Sequence, residues 1–565
     1  MKIKNGIMKL QNLLDGMTLL ENNSNSKILP SILFILIIFI YILFRFIVDD
    51  ATRTGEMWAE MATNYYKNAR YGDLYHQFFA TDAGYIPLLQ RIIAWTVHVF
   101  KAPVHLVPYL YTWISIVLSA MMVGTFTLHY FRPLVQNDYT RMLVSLIILI
   151  TISWQTANFI SFTYLNLFYI AIFVALALSK DNDDAPKIAF LIPILIMAKA
   201  HVLAIVPILF LSIFFVKKRY KYIFSFTILM SILQVIQVTI SHMNGAFKME
   251  NNFTLFDKLL SSFAYNFAYL ANNIVGYGNH FTSTELLIIG MIISIFALFT
   301  LFIKKKNSNT LIIVGLSIVF FIFLINSFAL FNAFNLNSYK INHGMYRHIF
   351  PGFIGSILLL IGIAESWGNI IRYKPLIKYF SFFLVFGWAI SGNLIIKGIN
   401  SSKEPKHKTG YSNWQTMSQS IQNNDNNRCV PINPYKWMYS KNCSYTHTLN
   451  FGKGTYKTFE ETSLSINIPS DIKNKKTIAL LVGIDLTNNV SANVELYAVA
   501  TTSTGNKYKF YGFKNNVSSK SMILLNNTNR EAISDIVKLE LISNIPLKYW
   551  VENGKQRPSI SWLGN

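Results

Sequence analysis

Charge is what this chain has least of. Only 14% of its 565 residues are Asp, Glu, Lys or Arg, while 52% are hydrophobic. A soluble protein of this length needs more charge to cover its surface, so an ordinary cytosolic enzyme is excluded. Cysteine is nearly missing too. Two residues, Cys429 and Cys443, exclude a disulfide scaffold and a multi-cysteine metal site, and leave room for a single bridge if their compartment oxidises. No Gly-x-Gly-x-x-Gly, Walker phosphate loop, His-Glu-x-x-His or Cys-x-x-Cys occurs, so these nucleotide, zinc-protease and redox signatures are absent. Acidic residues are outnumbered, 27 against 50 Lys and Arg, for a formal charge of +23. In a soluble protein that excess would point to nucleic acid; here membrane topology has first claim on it.

What is present is a series of apolar runs. About 20 apolar residues cross a bilayer as a helix. The first such run extends from Leu29 to Val48, and others lie near residues 106–129, 141–157, 160–179, 222–241, 285–303, 310–329, 350–364 and 378–396. Residues 188–216 are too long for one helix and are interrupted by Lys199-Ala200-His201, so two short helices are expected with that tripeptide at an outward-facing break. Counted this way, Lys217-Lys218-Arg219, Lys304-Lys305-Lys306 and Arg372 to Lys378 fall on the same side as Lys2, Lys4, Lys9 and Lys27. The positive-inside rule makes that side the cytoplasm. The expectation is a polytopic α-helical protein of about eleven spans. Its amino terminus lies inside and its carboxyl terminus outside. No cleavable signal peptide is expected, because residues 1–28 are polar or mixed and no small-residue cleavage site follows. They form a cytoplasmic segment, and residues 29–397 the membrane domain, with a large outward loop at 49–105.

After Lys397 the composition turns to Asn, Ser, Thr and Lys. Runs of strand length, SLSINI, TIALLVGIDL, NVELYAVATT, KYKFYGF, SMILL and VKLELI, are separated by Asn, Gly, Ser and Pro clusters. This is the pattern of an antiparallel sandwich or jelly roll, so residues 398–565 are expected to be an extracytoplasmic β-rich domain. On that side Cys429 and Cys443 can oxidise and close a short loop.

Charges at a membrane edge are costly, and each one on the outward side is a candidate for function. Asp49 and Asp50 follow the first span, Glu56 and Glu60 come next, and Asp82 precedes a second amphipathic stretch. A partly desolvated carboxylate can take a proton from a sugar hydroxyl near neutral pH; the plainer reading of the Asp pair is a stop to the span. Met57, Trp58, Met61 and Tyr65 share a helical spacing, which describes a helix along the membrane surface. Pro87 opens another, with Gln90 and Arg91 off its apolar side. The outward cations are Lys199, Arg91 and Arg347, with His201, His343 and His348 weaker. Arg or Lys there can bind the phosphate of a lipid-linked donor, against plainer roles in snorkelling or in bonding carbonyls of the broken helix. Rings from Trp154 to Tyr169 read as an interfacial aromatic belt.

This layout resembles the GT-C superfamily of membrane glycosyltransferases. The matching features are Asp49-Asp50 directly after the first span, a long outward loop with surface helices, the MAKAH break before LAIVPILFL, an outward Arg347 and a carboxyl-terminal β-rich domain. Within it, size and loop pattern are similar to the Gtr-type O-antigen glucosyltransferases of bacteria. The resemblance implies a multi-pass inner-membrane enzyme that moves a sugar, glucose by analogy, from a polyprenyl-phosphate donor onto a polysaccharide such as lipopolysaccharide at the periplasmic face. It further implies catalysis by Asp50 or Asp49, with Asp82 and Glu56 as competitors, and phosphate contacts from Lys199 and Arg347, then Arg91, His201 and His348. No cofactor is assigned, a divalent metal stays open, and nucleic acid is not a partner. The alternatives are an O-antigen polymerase, whose outward loops are usually rich in Arg where this one is rich in acids, and a transporter or lipid flippase, for which neither an internal repeat nor charges spread through the spans are found.

Overall fold

The first apolar run folds as a helix over Ile28–Val48, which buries a stripe of Leu33, Ile37, Tyr41 and Arg45 and exposes Ile32, Ile35, Phe39, Phe46 and Ile47 on its other side. Large apolar side chains facing outward at helical spacing are what a lipid-facing helix needs. A computed structural model of the chain describes residues 27–49, 51–55, 57–179, 185–244, 254–275, 281–303, 307–329, 346–368, 374–391, 414, 428–432, 437–441, 444–445, 454–459, 463–468, 477–487, 492–517, 521–527 and 533–564.

The chain divides into two compact units. One comprises Met1–Asp50, Phe78–Ile93 and Thr112–Glu404; the other comprises Ala51–Gln77, Ala94–Tyr111 and Pro405–Asn565. Among the described residues, five helical stretches are long and apolar enough to cross a membrane: Ile28–Val48, Val104–Thr127, Lys218–Ser241, Thr284–Phe302 and Phe350–Trp367. Shorter apolar helices cover Phe162–Leu178, Ala200–Ser212, Asn309–Ile325 and Phe380–Ile390. The chain is a multi-pass membrane protein with a carboxyl-terminal region of β-sheet.

In the helical unit, the helix Asn166–Leu178 is apolar all round and almost wholly buried, as expected of a helix at the centre of a bundle. The helices Asn309–Ala329 and Tyr346–Gly368 pack backbone to backbone: a Cβ on Gly315 would meet the Gly355 carbonyl oxygen at 2.6 Å. Small residues permit that approach, which suits helix packing in lipid. The long apolar stretch does break where Lys199 interrupts it. Ile192–Leu195 ends before the tripeptide, Lys199 itself is extended, and helical turns resume over Ala200–Ile205 and Val206–Ser212.

Two local expectations change. The helix beginning at Met57 instead starts at Met61, with a wide π turn over Met61–Tyr66 continuing as α-helix over Lys67–Tyr71, because Ala59 takes a positive φ of 43° that no helix accommodates. The rings expected at the membrane interface lie in the protein interior: Trp154, Phe159, Phe162, Tyr164, Phe168 and Tyr169 are all buried. Phe168 meets Phe126 edge-on at 5.7 Å, a packing geometry that a belt facing headgroups would not supply.

In the second unit all six expected strands form. The twelve described strands are β1 Arg428–Ile432, β2 Trp437–Lys441, β3 Ser444–Tyr445, β4 Gly454–Thr458, β5 Ser463–Ile466, β6 Thr477–Leu486, β7 Ala492–Thr502, β8 Lys507–Val517, β9 Ser521–Asn527, β10 Ile536–Ser543, β11 Leu547–Glu552 and β12 Ile560–Gly564. β1 and β2 pair alone, while the rest form one sheet in the order β3-β12-β6-β9-β8-β7-β10-β5, with β11 joining β4 to β6. Its described pairings are antiparallel. Alternate residues of β7, Val494, Leu496, Ala498 and Ala500, enter a core shared with Leu480, Val482 and Ile484 of β6 and Leu539 and Leu541 of β10. The period-2 pattern of the sequence is the direct cause of that burial.

Candidate functional site

Asp82-Ala83-Gly84-Tyr85 closes a tight turn in which Asp82 and Tyr85 exchange backbone hydrogen bonds of 2.8 and 3.2 Å. Ala83 and Gly84 both have positive φ, 46° and 84°, as the two central residues of a type I′ turn require. Ala is a poor occupant of that conformation. The turn delivers Tyr85 to a buried position, and Pro87 then starts the helix Leu88–Val99, whose first N–H donates to the Met197 carbonyl at 3.0 Å.

Met197 belongs to the broken-helix segment, where carbonyls lose their helical partners. Each one then needs a donor, because an unpaired carbonyl is costly inside a membrane protein. The Leu195 carbonyl accepts from Asn166 Nδ2 at 2.8 Å, and the Ala198 carbonyl from Gln234 Nε2 at 2.8 Å. Gln234 also accepts from the Ile86 N–H at 3.1 Å, so one amide ties the break to the segment after the turn. With these carbonyls met by Asn166, Gln234 and the Leu88 N–H, the Lys199 ammonium donates to the Tyr85 hydroxyl and lies 4.6 Å from its ring centroid. Both side chains are buried.

Lys199 and the Asp82 turn, far apart in the chain, therefore meet through Tyr85. His201, also buried, packs its ring 5.3 Å from that of Tyr164. Arg91 and Gln90 are not off the buried side of their helix but among its most buried residues. Their polar ends have partners inside: Arg91 Nε donates to the Ala80 carbonyl at 2.6 Å, and Gln90 Nε2 to the Ile160 carbonyl at 3.1 Å and the Thr163 hydroxyl at 2.9 Å. Arg91 thereby anchors the start of the loop that carries Asp82.

Asp49 is joined elsewhere. Its carboxylate accepts from Arg45 Nη2 at 2.6 Å, one turn back on the first helix, and both groups are buried. Asp50 and Glu56 lie outside the described residues, as does Cys443; Arg347, His348 and Cys429 are placed along the backbone only. Among the described residues no group of three or more His, Cys, Asp or Glu side chains is placed to hold a metal ion.

Sequence reasoning passed over Tyr85, Gln234 and Arg45. The first carries no charge, but the other two left a signal: an amide and a lone guanidinium in span-length, mainly apolar runs, each of which must find a partner when buried. Chemically, an ammonium beside a phenol combines N–H and O–H donors, the type of group that recognises phosphate oxygens.

Compared with protein-family models and with curated proteins, the chain matches none.

Proposed function

We propose that this protein is a membrane glycosyltransferase. It moves a sugar, glucose by analogy with the Gtr-type enzymes, from a polyprenyl-phosphate donor onto a surface polysaccharide such as lipopolysaccharide O-antigen, at the outer face of a bacterial inner membrane. The single observation that carries this reading is the meeting of Lys199, at the helix break, with Tyr85 of the turn that holds Asp82. A cation and a carboxylate-bearing turn from distant parts of a multi-pass chain converge, which supports a reading in which the one meets a donor phosphate and the other an acceptor hydroxyl.

In this mechanism Lys199 and Arg347 hold the donor phosphate. A first-loop carboxylate, Asp50 or its rival Asp82, accepts the proton of the acceptor hydroxyl, while Asp49 stays paired with Arg45. The acceptor oxygen bonds to the anomeric carbon as the bond from that carbon to the phosphate oxygen breaks with inversion; the electron pair leaves with the phosphate, and Lys199 and Arg347 stabilise its charge. The β-rich domain at 398–565, closed as a sandwich on the outer side, positions the glycan, with Cys429 and Cys443 bridged. The amino terminus lies in the cytoplasm.

The test is to incubate purified protein with labelled polyprenyl phosphate-glucose and glycan, and to repeat it with Asp50→Asn and Asp82→Asn. Transfer by the parent and its loss in one variant is expected. No transfer by the parent overturns the reading, and undiminished transfer by both variants removes these acids from the mechanism.

A further inference from the structure

The second unit holds a cavity of about 210 Å³ between the Met61–Tyr71 segment and the chain around the end of the helix Leu88–Val99. Arg70, His98 and Lys101 line it together with Tyr66, Val104 and Tyr111, and among the described residues its lining contains no carboxylate. That sign asymmetry fits an anion.

Burial, and then the Arg70 charge, lower the His98 pKa, so its imidazole enters as a neutral group; the two cations, Arg70 and Lys101, are each placed by a local device. The Arg70 guanidinium donates to the Tyr66 hydroxyl and lies between two rings, 5.8 Å from the centroid of Tyr66 and 5.4 Å from that of Tyr71. Tyr66 is itself braced edge-on by Trp414 at 5.2 Å and Tyr439 at 5.7 Å, and the Trp414 indole N–H donates to the Val104 carbonyl at 3.0 Å. The Tyr66 bond uses one of the five donors of a guanidinium. Burial, against the opposing Arg70 charge, pushes the Tyr66 phenol up to about 12, so it remains neutral.

Lys101 is held differently. Its N–H donates to the His98 carbonyl at 2.8 Å and that of Ala102 to the Val97 carbonyl at 3.3 Å, the paired bonds of a Schellman helix end. Lys101 occupies the left-handed position of that motif, with φ of 51°, where glycine or asparagine is favoured. A lysine in that unfavourable backbone conformation, on the wall of a cationic cavity, points to a demand for its charge. Val104, also on the wall, begins Val104–Thr127, a stretch long and apolar enough to cross a membrane, and a lipid phosphate is an anion found at the start of such a span.

We propose that Arg70, His98 and Lys101 form a phosphate-binding site in the second unit that takes the phosphate ester of a membrane lipid. The site lies in a different unit from Lys199, and it stands whether or not the chain transfers sugar.

The experiment uses the full chain in detergent, titrated with dihexanoyl phosphatidic acid in one arm and inorganic pyrophosphate in the other, with binding read by calorimetry. Lys101→Asn removes the charge at a position that tolerates asparagine, and Arg70→Gln removes the second cation. Each is expected to weaken phosphatidic acid binding about tenfold. Lys538→Gln, which removes a charge from the exposed edge of a Lys538–Glu540 ion pair on β10, is expected to leave it unchanged. Should Arg70→Gln fail to fold, Lys101→Asn and Lys101→Gly carry the test. Binding of phosphatidic acid with weak pyrophosphate binding assigns the site to lipid headgroups, and comparable binding of both assigns it to phosphate oxyanions from either source. No binding in either arm, or an equal loss in Lys538→Gln, overturns the proposal.

Discussion

The Lys199 ammonium donates a hydrogen bond to the hydroxyl of Tyr85, 114 residues earlier in the chain. Lys199 interrupts an apolar stretch and Tyr85 ends a tight turn, so each sits where regular structure fails. A buried ammonium needs such partners, because desolvation alone would favour its neutral form. The contact ties the helix break to the first-loop turn.

Tyr85→Phe keeps the ring and deletes the hydroxyl. With the transfer reading, it should lower sugar transfer by about a hundredfold, the scale of losing one donor to a developing oxyanion. The protein should remain folded in the membrane. Wild-type transfer by a well-expressed variant would remove the phenol from the site.

Gln234→Leu should destabilise the helical unit by about 1–3 kcal/mol, since the Ile86 N–H and the Ala198 carbonyl lose their partner while still buried. Thermal unfolding in detergent measures this. Gln234→Glu is expected to fare worse than Leu, since it can accept from Ile86 but cannot donate to Ala198 and brings a charge into a buried site.

Arg45 and Asp49 form a buried pair at the end of the first helix, Asp49 capping it. Asp49→Asn alone leaves the guanidinium buried beside a neutral group and should cost about 3–5 kcal/mol, whereas Arg45→Met with Asp49→Leu should recover most of the loss. Additive losses in the double variant would contradict the pairing.

A third buried acid gives a pH-dependent prediction. Asp138 accepts from Arg132 Nη2 at 2.7 Å and from Arg141, and although burial raises its pKa, the two arginines outweigh burial and hold the carboxyl below the usual range. Its stabilising contribution is therefore complete above the unfolded carboxylate pKa, about 3.9. That contribution fades as pH falls through the lower folded value. Asp138→Asn should lose about 3–5 kcal/mol at neutral pH and show a flatter acid limb. An acid limb identical to the parent's would show that Asp138 does not contribute to it.

Much of the architecture was legible along the chain. The first span, the break at Lys199 and the six strands from SLSINI to VKLELI follow from local periodicity, and they formed where expected. The same periodicity misplaced other residues. Gln90 and Arg91 read as solvent-facing because polar residues normally are, yet each is buried once a carbonyl from another segment receives its N–H. The rings from Trp154 to Tyr169 read as interfacial, since their composition suits a headgroup layer as well as a core.

Composition and spacing settled that this is a multi-pass membrane chain with a sheet-rich carboxyl-terminal region, because hydrophobic run length and alternation act over one element at a time. Folding in three dimensions decided which polar residues are partners. Tyr85 with Lys199, Gln234 with Ile86 and Ala198, and Arg91 with Ala80 are choices made by segments that pack together. The physical reason is that a buried polar group must find a donor or acceptor within about 3 Å, and only packing brings one there from elsewhere in the chain.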